Sequence, residues 1–224
     1  MNNKIVTDVS CVVRSVGERT EKICCDILTS VGLTPHIVTG QPFYVTLKNA
    51  FQKAIELDKE YCLMIDADCI PFAEKIPKFI DISVPICDYT VLSKMDCNIF
   101  GMVRNNGVRL YKTKKLKKII NLIETVDRPE STLHKKYGIK NIDIICCQHG
   151  YEQYYKDLWR TIYMHGIKSK NSKNLKNRYD YWKSQSDIES KICAFAYEEG
   201  IKSKDKHIPL FDYKRFNVEE KGLL

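Results

Sequence analysis

Hydrophobic and polar positions in the first third of the chain alternate between two periods. "SCVVRSV" (10–16) is a short β-branched run, the pattern of a buried strand. In "ERTEKICCDILTSVG" the positions Ile23, Ile27, Leu28 and Val31 recur at helical spacing and Gly32 marks the stop. "TPHIVTG" (34–40) predicts a second strand. "PFYVTLKNAFQKAIELDKE" predicts a second helix with Leu47, Ala50, Phe51 and Ala54 on one face. "YCLMID" (61–66) predicts a third strand, the most buried of the set. This order of strands and helices is that of a parallel sheet with covering helices, so the expected fold class is α/β.

The alternation loosens further on. "VPICDYTVLS" and "CNIFGMV" read as strands, and "RNNG" reads as a turn leading into the strand "VRLYK". That predicts a hairpin and therefore a mixed sheet. "KLKKIINLIETV" carries Leu116, Ile119, Ile120 and Ile123 on one helical face, "RPESTLHKKYG" predicts a short helix, and "NIDIICC" (141–147) a strand. From "HGYEQYYKDLWRTIYMHGIK" onward the chain is aromatic, basic and mostly helical. No internal repeat appears, and no linker is long enough to mark a domain boundary.

Composition changes this picture little. A hydrophobic fraction of 44% suits a packed core, and no apolar run reaches the ~18–20 residues that span a bilayer. "MNNKIVTDVS" lacks the apolar region and cleavage site of a signal peptide, so a cytoplasmic protein is expected. The ten cysteines fall in apolar runs without a CxxC pair, which predicts small buried hydrophobes in a reducing compartment rather than disulfides or zinc ligands. The net charge of +8 is concentrated in "VRLYKTKKLKK" and "GIKSKNSKNLKNRYDYWK". Such runs are solvated faces or surfaces for anionic partners: a nucleoside diphosphate, a phospholipid surface or nucleic acid.

The chemistry concentrates at "EYCLMIDADCIP", where Asp66 and Asp68 follow the most apolar run. Ligands of open α/β sheets bind beyond the carboxyl ends of the strands, and alternation lets both side chains point one way. Two ionised carboxylates there repel each other unless compensated, and Mg²⁺ or Mn²⁺ would compensate them while also taking substrate phosphates. The alternative is a turn cap, with Asp68 starting the segment before Pro71.

These pieces, in this order, resemble a family. "VVRSVGERT", then "TLKNAFQKAIELDKEYCLMIDADCIP" and "NNGVRLYKTKKL", look like the N-terminal part of a GT-A-fold glycosyltransferase of the family-2 type. "RPES" and "QHGYEQYYKDLWR" are similar to the C-terminal part of bacterial sugar transferases, so the resemblance spans about residues 8–168. It implies a GT-A-like, Rossmann-like, mixed but mostly parallel sheet: a nucleotide-sugar-binding core over 1–150, and a helical, basic extension over 151–224 on the acceptor side of the same domain. It implies sugar transfer from a nucleotide-diphosphate donor, UDP or GDP in type, to a glycan or lipid-linked acceptor in surface polysaccharide assembly. Asp68 would contact the Mn²⁺ or Mg²⁺ directly, with Asp66 on the ribose or the metal. Arg14, Ser15 and Arg19, with Lys48 and Asn49, would hold the nucleotide. His149 would be a third metal ligand, with His165 in reserve. Glu130 would be the base that deprotonates the acceptor, although the family's usual Glu-Asp pair is missing; Asp127, Glu152 and Asp157 stay open as alternatives. Tyr151, Tyr154, Tyr155 and Trp159 are core aromatics or a sugar-stacking surface, and the basic C-terminal part would rest on an anionic membrane.

Three rival readings compete. A haloacid-dehalogenase-like phosphatase needs its DxD on the first strand and a threonine where this chain has Ile70. A nucleotidyltransferase needs a Gly-rich N-terminal loop, and "RSVGERT" has one glycine. A nucleic-acid-binding module fits the charge but leaves Asp66 and Asp68 without a role.

Overall fold

A computed structural model of the chain describes residues 8–40, 42–97, 102–125, 129–149, 155–168 and 173–204. Two compact units divide it, Met1–Glu152 and Gln153–Leu224. Among the described residues no helix is long and apolar enough to cross a membrane.

The first unit runs β1 (Val9–Ser15), α1 (Glu21–Ser30), β2 (Pro35–Thr39), α2 (Phe43–Glu56), β3 (Tyr61–Asp66), β4 (Cys69–Pro71), α3 (Lys75–Ser83), β5 (Thr90–Cys97), β6 (Met102–Lys112), α4 (Thr113–Ile119), α5 (Pro129–Tyr137) and β7 (Lys140–His149). The strands form one sheet in the order β2-β1-β3-β6-β5-β7-β4. β1 pairs in parallel with β2 and β3, and β5 in parallel with β7; β6 is antiparallel to β3 and β5, and β4 to β7. Five strands therefore point one way and two the other, which is the mixed, mostly parallel α/β sheet expected.

Strand alternation gives the sheet two apolar faces. Cys11, Val13, Leu63, Ile65, Val108 and Leu110 pack with Cys24 and Leu28 of α1 and Ile76, Phe79 and Ile80 of α3. Val12, Cys62, Met64 and Tyr111 pack on the other side with Leu47, Ala50, Phe51 and Ala54 of α2, Leu116 and Ile119 of α4, and Leu133 of α5. The inner face of α2 is the expected one. That of α1 is expected only in part: Leu28 is buried and Val31 packs against the core, but Cys24 is buried where Ile23 is 42% exposed. The i, i+4 stripe runs through a cysteine because that small thiol fits against the sheet. All ten cysteines are free, and Cys25 alone is not fully buried.

One expectation needs correction. "RNNG" is not a hairpin turn but the middle of β6, which continues through it to Lys112. Asn106 takes φ 96° where the pairing of β5 with β6 shifts register between Leu92 and Lys94, as in a β-bulge. Gly107 is needed for close approach, since a Cβ there would lie 2.7 Å from the Lys94 carbonyl and 3.0 Å from Cys147 Sγ. "KIPKFIDIS" forms α3 although it contains Pro77. The proline falls in the first helical turn, where its missing N–H costs nothing.

The second unit consists, among the described residues, of α6 (Tyr155–Lys168), α7 (Lys173–Ser184) and α8 (Ile188–Lys202). α6 and α8 meet backbone to backbone: a Cβ on Gly200 would stand 2.3 Å from the Tyr163 carbonyl, and one on Gly166 2.9 Å from that of Tyr197. Asp187 caps α8, its carboxylate accepting from Ser190 N at 2.8 Å.

Candidate active site at the carboxyl edge of the sheet

The parallel orientation brings the ends of β1, β3, β5 and β7 to one edge, so Ser15, Asp66, Cys97 and His149 lie along it. Arg14 and Asp66 are register partners on β1 and β3, and Arg109 faces Met64 one step back on β6. These side chains extend the α2-side face of the sheet where its apolar row ends.

A closed network of charges fills that place. Asp66 Oδ1 accepts from Arg14 Nε at 2.7 Å, and Asp66 Oδ2 from Arg109 Nη1 at 3.2 Å. Arg14 Nη2 also lies 2.7 Å from Oδ1, an ion-pair contact off the hydrogen-bonding line. Glu130, second residue of α5, accepts on Oε1 from Arg14 Nη1 at 3.0 Å and from Tyr111 Oη at 2.8 Å, with Arg109 Nε also 3.0 Å away. Tyr111 Oη is 3.4 Å from His134 Nε2, and Asn106 Oδ1 accepts from Arg109 Nε at 3.1 Å. The Phe43 ring covers the Arg14 guanidinium at 5.3 Å. Two buried guanidiniums thus face two carboxylates, and the charges cancel.

Titration follows from this geometry. Burial pushes the Asp66 carboxyl up, but Arg14 and Arg109 together outweigh it and hold the group well below the usual carboxylate range. Glu130 is held low in the same way, burial opposing and Arg109 and Arg14 prevailing. Burial lowers the pKa of His134.

Asp68 belongs to a different arrangement. β3 ends at Asp66 and a turn leads into β4. That turn is pinned to β1, Ala67 N donating to the Arg14 carbonyl at 2.8 Å and Thr20 Oγ1 to the Ala67 carbonyl at 2.6 Å. Cys69 pairs with His149 across β4 and β7, so Asp68 Oδ2 comes within 3.0 Å of His149 Nε2. Burial would lower the His149 pKa, but the bond to Asp68 and that to Cys97 raise it to about 10. The loop after β1 folds over Glu18, which accepts from Val16 N at 2.7 Å and from Ser15 Oγ at 2.8 Å. Burial raises the Glu18 pKa, with a contribution from Asp68.

The expected site residues divide accordingly. Arg14, Asp66 and Glu130 come together in the network, and Asp68 and His149 at the adjacent edge. The Ser15 hydroxyl is committed locally, donating to Glu18 and accepting from Gly17 N. Arg19 is exposed on the loop after β1 and Lys48 is half-buried in α2, while Asn49 Nδ2 donates to the Thr39 carbonyl at 2.8 Å. His165 lies in α6 of the other unit. Trp159 is buried and stacked on Tyr163 at 4.7 Å, which makes it a core ring of the second unit. Asp127, Glu152, Tyr151, Tyr154 and the side chain of Asp157 lie outside the described residues.

The repulsion that pointed to a metal between Asp66 and Asp68 is already relieved without one. Arginines from β1 and β6 neutralise Asp66, and an imidazole from β7 meets Asp68. Among the described residues no three His, Cys, Asp or Glu side chains converge to enclose a metal ion. The Asp68–His149 pair suits an open site completed by substrate oxygens, whereas Asp66 would first have to release an arginine. Sequence reading missed Arg109, Tyr111, His134, Thr20 and Glu18. A signal for two of them lies in "VRLYK", where a charge and a phenol alternate with apolar positions in a strand.

No family model and no curated protein matches the sequence. Among solved structures the chain is similar to 4-diphosphocytidyl-2C-methyl-D-erythritol synthase of Anaerococcus prevotii, with 11% identity over 68% of this chain and 92% of that one, at TM-score 0.47. It is also similar to the bifunctional IspDF of Campylobacter jejuni, with 12% identity over 61% and 50%, at TM-score 0.45. A third is CMP:2-keto-3-deoxy-manno-octonic acid synthetase complexed with CTP, with 7% identity over 65% and 93%, at TM-score 0.44. At these scores the likeness carries no argument about function.

Proposed function

We propose that the chain is a metal-dependent transferase of the GT-A type, moving a sugar from a nucleoside-diphosphate donor to a glycan or lipid-linked acceptor. The observation that carries the reading is the Asp68–His149 pair, 3.0 Å apart at the carboxyl edge of the parallel strands and next to a self-neutralised buried network. Asp68 and His149 would hold a Mn²⁺ or Mg²⁺ ion, which when bound offsets charge on the departing diphosphate.

The chain's own residues do the positioning. Arg14 and Arg109 lock Asp66, and Arg14 O holds the turn amide of Ala67, so Asp68 projects from a rigid frame. The loop carrying Ser15 and Arg19, with Lys48 on α2, borders the place assigned to the nucleotide. Glu130 is an anchor for the two arginines rather than the base expected from the resemblance. Its Oε1 already accepts two hydrogen bonds and lies in ion-pair contact with Arg109, and its depressed pKa makes it a weak proton acceptor.

The test is a thermal-shift panel of UDP, GDP, CDP and ADP, each with and without Mn²⁺. One diphosphate should raise Tm by about 5–10 °C at a hundredfold excess over Kd, only with metal, and Asp68→Asn should lose the effect. No metal-dependent shift with any diphosphate would sink the reading. Pyrophosphate release from a nucleoside triphosphate would replace it with nucleotidyl transfer.

A further inference from the structure

The sheet ends in two edges of different character. β4 is three residues long and closes on Pro71, and shortness and proline both keep an edge from pairing. β2 has five residues, and among the described residues no strand pairs with its outer side. Pro35 stands at its first position, and the Thr39 carbonyl at its other end already accepts from Asn49. Between them, residues 36–38 present their outer backbone groups without a proline, a bulge or a charge. The charge pattern marks the same place. Asp, Glu, Lys and Arg make up 29% of the chain, yet none occurs between Asp26 and Lys48. That interval holds the end of α1, all of β2 and the start of α2. Ile37 is in register with Val13 on the α1 side of the sheet, but it is 47% exposed where Val13 is fully buried. An uncharged open edge with an exposed β-branched residue at its centre is a template for another strand.

We propose that β2 pairs antiparallel with β2 of a second copy of the chain, about a two-fold axis at Ile37. Charge carries the choice of partner. Each copy bears a net charge of +8, so a surface that meets itself must be free of like charges. An acidic partner would be drawn to the lysine-rich segments and gives no reason for charge to be missing here. The axis makes the contact isologous: Ile37 faces Ile37 of the second copy, and His36 faces its Val38. The two isoleucines cover each other's exposed sides, and the outer backbone groups of residues 36–38 gain partners. The pairing does not depend on the chemistry at Asp68, so it stands or falls apart from the transferase reading.

The experiment is sedimentation equilibrium of the full chain over a concentration series, at low and high salt. The mass should rise with concentration from 26.1 kDa towards twice that value. Salt should tighten the dimer, because it screens the repulsion between two cationic copies and the contact itself holds no ion pair. Ile37→Lys sets two like charges face to face and should raise the dimer Kd about a hundredfold. Ile82→Lys, at an isoleucine of α3 that is 40% exposed, should change it little. A short bismaleimide should join Ile37→Cys to its copy well above the wild-type background, and Ile82→Cys should show no such gain. A monomer mass at every concentration up to about 300 µM overturns the proposal. So does equal loss in the two lysine variants, a dimer loosened by salt, or cross-linking at position 37 no greater than at position 82.

Discussion

Asp66 and Asp68 are two residues apart and nearly equally exposed, 29% and 25% by side chain, yet their partners differ in kind. Asp66 has both oxygens on guanidiniums that keep their charge at any ordinary pH. Asp68 has an imidazole, which can change charge and can also be a metal ligand. Exposure therefore does not tell a structural carboxylate from one available for chemistry, and the permanence of the opposing charge does. The first arrangement resists exchange of partners because releasing Asp66 leaves two buried guanidiniums, Arg14 and Arg109, against Glu130 alone. The second can trade its partner at little cost.

The sharpest way to break this comparison is to unbalance the network. Arg109→Met should lower stability by about 3–5 kcal/mol in urea denaturation, because it strands two carboxylates against one guanidinium. Combining it with Glu130→Gln should restore part of the loss, since Arg14 and Asp66 then remain as a neutral pair. Additive losses in the double variant would mean that the four groups do not act as one unit.

A second prediction uses pH. The His149 pKa is raised, so the stability it contributes is complete below its unfolded value of about 6.5 and is lost as pH rises towards about 10. Wild type should lose on the order of 1 kcal/mol between about pH 6.5 and 8.5, after discounting for solvent screening, and His149→Gln should stay flat there. Above that window the buried thiols, pushed up by burial, destabilise both proteins and the comparison loses its meaning. Asp66 and Glu130 have depressed values, so their contribution is present above the ordinary carboxylate range and is lost as pH falls below that range through the depressed values. Parallel curves for the two proteins from pH 6.5 to 8.5 would remove His149 from the titrating set.

The smallest effect is expected at Asp68. Asp68→Asn should cost less than about 1 kcal/mol in denaturation, because the pair is partly solvated and its histidine can turn to water. A loss as large as that of Arg109→Met would place Asp68 in the structural network after all.

Some of this was legible from the chain alone. Val12, Val13, Leu47, Phe51, Leu63 and Met64 lie where period-two and helical patterns place them, because burial of apolar surface acts locally and repeats with each element's geometry. The patterns failed where a residue's reason lies across the sheet. Asn106 and Gly107 look like a turn, but the close approach of Lys94 and Cys147 makes them a bulge within a strand. Ile23 looks like core, but Cys24 is.

The same division holds at the candidate site. Sequence determined that two carboxylates end the third strand and that they need positive partners, since like charges at a strand end cannot stand alone. It could not say which partners, because Arg14 lies 52 residues from Asp66, Arg109 lies 43, and Glu130 lies 116 from Arg14. Only the order of the strands brings those groups together, and only the pairing of β4 with β7 gives Asp68 its histidine. Periodicity follows from the geometry of one element and can be read along the chain. Charge compensation depends on distance in space, which the tertiary fold alone decides.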